Sequence, residues 1–425
     1  MTEKAPPPIP RTPFGLLASL YISQSVPLGF FIIALPAIAR SEGLSLELVG
    51  LLQTLAFPFL IKFLWAPLVD RFGATRSHYT SWIFPLQSLS LLAVLGLACL
   101  EPFDALSDQE GTSHLPVFLL TIIFMISAAT QDVATDGLAV KVIPKEKRGI
   151  ANGVQVGGYY FGQVLGGGVA LLLYHQLGWM FSLGIMMIPL GMPLFFLVGF
   201  RESKFEASAG DSHVGIGFVS LKQFFQRSGI WTWIIVLLSF RAGEQMALTM
   251  LNPMLIDFGY SLARVGMIVG LIGSVTSLGG ALIGGSLVQR IGRQRSLVCL
   301  LSLLTLALLS YQFPSYTGAW ASVVIAVGLV SFAGGAATTA LYTAMMDRCR
   351  HESSASDFTL QQSICAIGPL IAVGLSGFSA SALGYPGHFL LSAAVATFST
   401  YWVARMLRPQ DGIALRSAPL PGGKV

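Results

Sequence analysis

APLVDRFGATR, residues 66–76, directly follows one apolar segment, and GGSLVQRIGRQR, residues 284–295, directly follows another. Their Arg-x-Gly cores, Arg71–Gly73 and Arg290–Gly292, stand 219 residues apart, about half the chain. A repeat of half the chain length inside an overwhelmingly apolar sequence predicts a membrane transporter built of two similar halves. Most soluble enzymes are excluded at once.

The composition agrees. Of 425 residues, 54% are hydrophobic and only 11% are Asp, Glu, Lys or Arg, against roughly 25% in a typical soluble domain. Apolar segments run over 14–38, 46–68, 80–100, 116–140, 151–174, 178–200, 230–254, 263–287, 296–314, 317–345, 357–380 and 387–406. Each is long enough to cross the hydrocarbon, and each is expected to be a helix because backbone groups in lipid must be paired within the segment. The fold class is therefore an all-α integral membrane protein of twelve transmembrane helices. The longest polar break, 201–229, reads as a linker between a six-helix half at 14–200 and another at 230–406. A surface helix is expected near 215–228.

With the N-terminus placed inside, 21 of 25 Lys and Arg fall on inside segments. The 101–115 loop has four acids and no base. The positive-inside rule then predicts both termini in the cytoplasm. A basic inner rim facing anionic lipid accounts for the net charge of +5, and no nucleic-acid partner is implied. Residues 1–13 are Pro-rich and do not resemble a cleavable signal peptide. The apolar stretch after them is too long and lacks a small-residue cleavage site. Cys99, Cys299, Cys349 and Cys365 form no CxxC pair and read as small apolar side chains, with no metal and no disulfide. No HExxH, nucleophile elbow or P-loop is present, so neither an enzyme activity nor a cofactor is expected. Without a nucleotide motif, an ion gradient is the simpler energy source.

A charge inside an apolar span is costly and marks a site by default. Lys62 lies in the second segment, within FPFLIKFLWAPLVDR. Asp132 and Asp136 lie in the fourth, within ATQDVATDGLAV. Four residues apart, they point to one face, about 6 Å apart along the axis. They are proton-coupling candidates, with Lys62 as the base between them; a buried structural ion-pair cluster is the other reading. Arg241 and Glu244 in the seventh segment are spaced i, i+3, with Gln245 beside them. Arg241 is placed to bind a substrate anion and Glu244 to take a proton, or the two form a structural pair. Asn252 and Pro253 follow, where a helix interruption is expected. Pro27, Pro58, Pro67 and Pro369 would also bend or interrupt their helices.

Uncharged hydrogen-bonding groups interleave with aromatics elsewhere. Gln24 with Tyr21, Gln155 with Tyr159 and Tyr160, Tyr342 with Thr338, and Gln361 with Gln362 all sit in spans. Lys62, Arg241, Gln24, Gln155, Tyr159, Gln245, Asn252, Tyr342 and Gln361 are the substrate-binding candidates, suited to a partly polar or aromatic ligand. Glycines crowd the fifth and eighth segments, from Gly157 to Gly168 and from Gly266 to Gly285. At i, i+4 spacing they let helices approach closely, either as plain packing or as surfaces that rock during transport.

These residues resemble the major facilitator superfamily over essentially the whole chain. Its loop signature has Gly, three residues, Asp-Arg, one residue, Gly and basic residues. The first copy here has Asp70, Arg71, Gly73 and Arg76, with Ala66 or Pro67 where the Gly would stand. The second has Gly285, Arg290, Gly292 and Arg293, with Gln289 in place of the acid. The resemblance implies two pseudo-symmetric six-helix halves and gating by Asp70, Arg71, Arg290 and Arg293. The second half lacks the acid of its gate pair.

Within that superfamily, KFLWAPLVDR at 62–71 and QD…TDGLAV at 131–140, followed by KEKRG at 145–149, are similar to the AmpG-like branch. That branch holds muropeptide permeases and RhtX/FptX-type siderophore importers. The compact length and the TDGLAV wording look more like the siderophore importers, since muropeptide permeases usually carry two further spans. The resemblance implies import of a siderophore or iron–siderophore complex across the bacterial inner membrane by proton symport. A muropeptide permease is the alternative, and a ligand-binding membrane sensor is the alternative of another class. The expected partners are a small-molecule substrate, protons and lipid, with a monomer sufficient and the oligomeric state open.

Overall fold

The computed structural model describes residues 12–43, 52, 54–73, 77–100, 115–202 and 218–406. Residues 101–114 of the expected acidic loop, residues 203–217 of the linker, Arg76 and both chain ends lie outside them.

Among the described residues, nine helices are long and apolar enough to cross a membrane. Two of the nine are double. Lys145–Leu197 turns at Gly178 (φ 79°, ψ −174°), and His351–Arg405 turns at Gly384 (φ 67°, ψ 172°). Both turns need a positive φ, which side chains with a Cβ resist. A twelfth crossing, second in the chain, is broken into Phe57–Ile61, a 3-10 turn at Lys62–Leu64, and Ala66–Arg71. Pro58 and Pro67 each stand at the start of a helical piece, where a missing N–H does no harm to that piece but cannot extend the one before it. Twelve crossings result, as the sequence predicts.

In chain order they are α1 (Pro13–Ser41), α2 (the three pieces just given), α3 (Thr80–Ala98), α4 (Pro116–Val142), α5 and α6 (before and after Gly178), α7 (Ile230–Asp257), α8 (Ala263–Ile291), α9 (Arg293–Thr317), α10 (Trp320–Asp347), and α11 and α12 (before and after Gly384). Among the helices that cross singly, α10, α1, α4 and α7 are the most enclosed, with 72%, 67%, 56% and 50% of their most apolar stretches buried, against 39%, 28% and 44% for α3, α8 and α9. These are the first and fourth helix of each set of six, so one plan is used twice. The outer helices present large apolar side chains such as Phe195, Val198 and Phe378, as a lipid-facing surface requires.

Two helix irregularities position the interior. A π-turn at Phe30–Ala34 follows Pro27 in α1, a common response to a lost backbone bond. In α7 the helix breaks at Phe240–Arg241, between Ile230–Ser239 and Ala242–Asp257. The interruption expected at Asn252–Pro253 does not occur: the helix runs through Pro253 to Asp257. Neighbouring helices and local adjustment let a membrane helix absorb a proline, whereas the break one turn before Glu244 turns Arg241 into a helix-capping position. The helix also continues through Pro369 without a break.

Glycines set the closest approaches. A Cβ on Gly166 of α5 would lie 1.7 Å from the Val26 carbonyl of α1, and one on Gly280 of α8 would lie 2.0 Å from the Phe332 carbonyl of α10. Gly149 of α5 and Gly285 of α8 face each other's carbonyls across the two halves, with added Cβ atoms only 2.7 and 2.5 Å away. The two helices therefore touch backbone to backbone where one half meets the other. A short helix, Phe218–Phe225, lies toward the end of the 201–229 linker, where a surface helix is expected. Glu202, at its other end, accepts the N–H groups of Tyr79 and Thr80 at 3.0 and 3.1 Å and so caps α3.

Candidate functional site

A cavity of about 360 Å³ lies between the halves. α1 gives it Tyr21 and Gln24, α2 Phe59 and Lys62, α4 Asp132, and α5 Gln155, Tyr159 and Tyr160. From the other half come Arg241 of α7, Thr338 and Tyr342 of α10, and Gln362 and Ser363 of α11. The mixture of four tyrosines with a few convergent polar groups fits an organic ligand.

The first half supplies a connected polar cluster. The 3-10 turn in α2 swings Lys62 inward, where its Nζ pairs with Asp132 and donates to Gln362 Oε1 at 2.8 Å. One turn along α4, the buried Asp136 accepts from Gln155 Nε2 at 2.8 Å and from the Tyr21 hydroxyl at 3.2 Å. Gln24 Nε2 donates to Thr135 at 3.0 Å. Asp132 thus faces the cavity and Asp136 lies behind it. Lys62 ties α2 to α4 within its own half and to α11 in the other.

The second half supplies a pair. Arg241 Nε donates to Glu244 Oε2 at 3.2 Å. The arginine side chain lines the cavity, 28% exposed, while the glutamate is 3% exposed. A guanidinium facing the cavity can meet a substrate anion, and the carboxylate behind it can exchange that pairing for a proton.

The other candidates divide. Gln155, Tyr159 and Tyr342 line the cavity with Gln24. Gln245 is half-buried on the turn after Glu244 and outside the lining, and Asn252 is exposed. Gln361 is fully buried: it accepts from Trp233 Nε1 at 2.7 Å and donates to the Asp357 carbonyl at 3.0 Å. Its neighbour Gln362 is the residue that reaches the cavity.

The loop-signature end is tied across the halves. Asp70, 5% exposed, accepts the N–H groups of Ala355 and Ser356 at 3.1 and 2.8 Å, the Ser356 hydroxyl at 2.5 Å and the Tyr79 hydroxyl at 2.7 Å. A carboxylate at the N-terminus of α11 meets both free donors and the positive end of the helix dipole. Arg148 donates to Asp347 Oδ1 and to the Met346 carbonyl, both at 3.0 Å, and to the Val140 carbonyl at 3.1 Å. Arg293 pairs with the same Asp347 and reaches the Lys145 carbonyl. Arg71 and Arg290 are exposed, and Arg71 lies over the Phe72 ring at 5.4 Å. Asp357 pairs with Arg227 and Arg350. Arg348 lies over the Trp233 ring at 3.8 Å; burial pulls its guanidinium down to about 10, still a cation at neutral pH. Arg148 and Asp347 carry no such role in the sequence reading, because charges at span ends cost little and raise no flag.

A model described as Major Facilitator Superfamily matches residues 17–365 and 280–420. The chain belongs to the Major Facilitator Superfamily. Solved structures share its fold. FucP, crystallised in the outward conformation, superposes with a TM-score of 0.72 at 15% identity, over 93% of this chain and 99% of that one. A bacterial homologue of the iron transporter ferroportin, in an outward-facing state, gives 0.68 at 16% identity, over 93% and 99%. Among curated proteins, the anhydromuropeptide permease of Escherichia coli strain K12 is 27% identical over 391 residues, covering 90% of this chain and 77% of its own. The Rickettsia conorii protein named AmpG 4 is 23% identical over 393 residues, covering 89% and 92%. The AmpG-like similarity expected from residues 62–71 and 131–149 therefore extends over nearly the whole chain. The relatives that carry it bear the names of muropeptide and AmpG transporters.

Proposed function

We propose that this superfamily member imports an anhydromuropeptide-type ligand, a sugar–peptide bearing carboxylates, across the bacterial inner membrane by proton symport. The observation that carries the reading is the cavity itself: each half contributes one cation with a carboxylate beside it, Lys62 with Asp132 and Arg241 with Glu244. Tyrosines line the space between, suited to stacking on sugar rings. The ligand class comes from similarity to the E. coli permease. This reading replaces the siderophore expectation, which rested on compact length and the wording of one segment. The division into 14–200, a linker at 201–229, and 230–406 gives the two bodies that would rock about the cavity. Both termini lie in the cytoplasm in this proposal, which makes the tied signature end the inner gate.

Uptake into proteoliposomes under an imposed inward proton gradient tests the function. Labelled anhydromuropeptide should accumulate above equilibrium and stop when the gradient is collapsed. Accumulation of a ferric siderophore in its place would restore the siderophore expectation. Binding without accumulation would make the protein a sensor.

A further inference from the structure

We propose that Gly334 of α10 is a positioning residue for Glu244: the side chain it lacks is the space in which the carboxylate sits. The proposal rests on the reading of Glu244 as the proton-coupling group, and adds to it the group that holds the carboxylate in register with Arg241.

The geometry is direct. A Cβ built on Gly334 would fall 2.0 Å from Glu244 Oε1, 3.0 Å from Cδ and 3.6 Å from Oε2. The carboxyl group therefore lies against the bare Cα of α10, with Oε2 turned to Arg241 Nε at 3.2 Å. Oε2 is held by the guanidinium, so Oε1, the oxygen over Gly334, is the one left to take the proton. Nothing in the backbone asks for glycine here. Gly334 lies within an unbroken helix, Trp320–Asp347, and a positive φ is not among its properties. A glycine inside a helix is less favourable than alanine, so its use calls for a steric reason, and the carboxylate supplies one.

Neither helix has room to back away. Behind Glu244, Gly243 of α7 lies against the Ser392 carbonyl of α12, with an added Cβ at 2.4 Å. Behind Gly334, Gly335 lies against the Ser277 carbonyl of α8, at 2.2 Å. α7 is thus backed by α12, and α10 by α8. The freely moving part of this contact is the end of the glutamate side chain. A methyl group at 334 would displace that end, separate it from Arg241 and leave the fold in place. Small-to-large changes that a flexible side-chain end can absorb disturb its position more than the packing around it.

The test uses the full-length protein in proteoliposomes, with labelled anhydromuropeptide as the transported probe and N,N′-dicyclohexylcarbodiimide as a probe of the carboxyl group itself. Gly334→Ala should reduce gradient-driven accumulation on the order of tenfold or more and shift its pH profile. Carrier-mediated exchange of labelled for unlabelled ligand serves as the folding control. Glu244→Asp withdraws the carboxyl by one methylene, so Gly334→Ala/Glu244→Asp should recover at least the accumulation of Glu244→Asp alone. Wild-type accumulation and pH profile in Gly334→Ala would overturn the proposal. So would a loss that Glu244→Asp fails to relieve, because the defect would then lie in helix packing. The carbodiimide assay needs no transported ligand: Gly334→Ala should change the rate of labelling at Glu244, and an unchanged rate would contradict the seat. Failure of the muropeptide reading leaves this second assay intact. Wild-type accumulation by Glu244→Gln would remove the coupling role of Glu244 and leave carbodiimide labelling to decide the seat.

Discussion

At the scale of the residue, the cost of burying charge made the charged part of the candidate site readable. Lys62, Asp132, Asp136, Arg241 and Glu244 stand out because an ionisable group inside an apolar segment needs a partner. The Arg241–Glu244 contact follows from i, i+3 spacing, and the Lys62–Asp132 pair follows from one base facing two acids on an adjacent span. Helical phase was not readable to the same degree. Gln361 and Gln362 are neighbours, yet one is spent on Trp233 and backbone while the other reaches the cavity. About 100° of rotation separates them, and the sequence does not say which way α11 is turned. Asn252 misled because a polar side chain near a span end can simply face outward. Glu244→Gln keeps shape and most hydrogen bonding but removes the exchangeable charge. Ligand exchange should persist in this variant while accumulation under a proton gradient is lost. Retained accumulation would shift coupling to Asp132 or Asp136, to be checked with their Asn variants. Arg241→Ala should weaken ligand binding and lower thermal stability in detergent. Leaving a buried carboxylate without its cation costs about 3–5 kcal/mol when the site cannot relax.

At the scale of the element, the helices were legible from length and apolarity, and their irregularities only in part. Pro58 and Pro67 break α2 as expected, because two prolines nine residues apart leave no long run of paired N–H groups. α7 breaks twelve residues before its proline, at Phe240–Arg241, where no residue type announces it. The glycine-rich stretches of α5 and α8 were visible, but their partners were not. The structure places Gly149 against Gly285 across the halves and Gly280 against Phe332 within one half, so one glycine run serves both a joint and a core. Close backbone contact across the joint makes it sensitive to volume. Gly285→Leu should hold α5 and α8 apart at the signature end and raise the reactivity of a cysteine placed at Arg148 toward a thiol reagent supplied from that side. Unchanged reactivity with full transport would show that the Gly149–Gly285 contact is dispensable for closure.

At the scale of the whole molecule, the two-half plan is written in the repeat of Arg-x-Gly loops, whereas the ties between halves come from unlike residues. Asp70 caps α11 in one place, and Asp347 joins Arg148 to Arg293 in another. Pseudo-symmetric halves need not share their latches, and Gln289 in place of an acid is consistent with that division. Single cysteines in 101–114 should label from outside the cell and those in 203–217 from inside; external labelling of 203–217 would invert the proposed orientation. The cavity walls have an electrical consequence as well. Lys62 and Arg241 stand against Asp132, Asp136 and Glu244, so when all five are ionised the carboxylates exceed the cations by one. One bound proton cancels the excess. A membrane potential acts on each elementary charge with about 2.3 kcal/mol per 100 mV across the full membrane. The unprotonated empty carrier therefore does electrical work when its cavity changes sides, and the protonated one does none. An interior-negative voltage would hold the empty, negatively charged cavity toward the outside. At fixed pH, uptake of a ligand with no net charge by proteoliposomes should rise as a potassium diffusion potential makes the interior more negative. A ligand with one net negative charge moves that charge with the proton and should give a flat response, and a flat response for the uncharged ligand would overturn the charge balance.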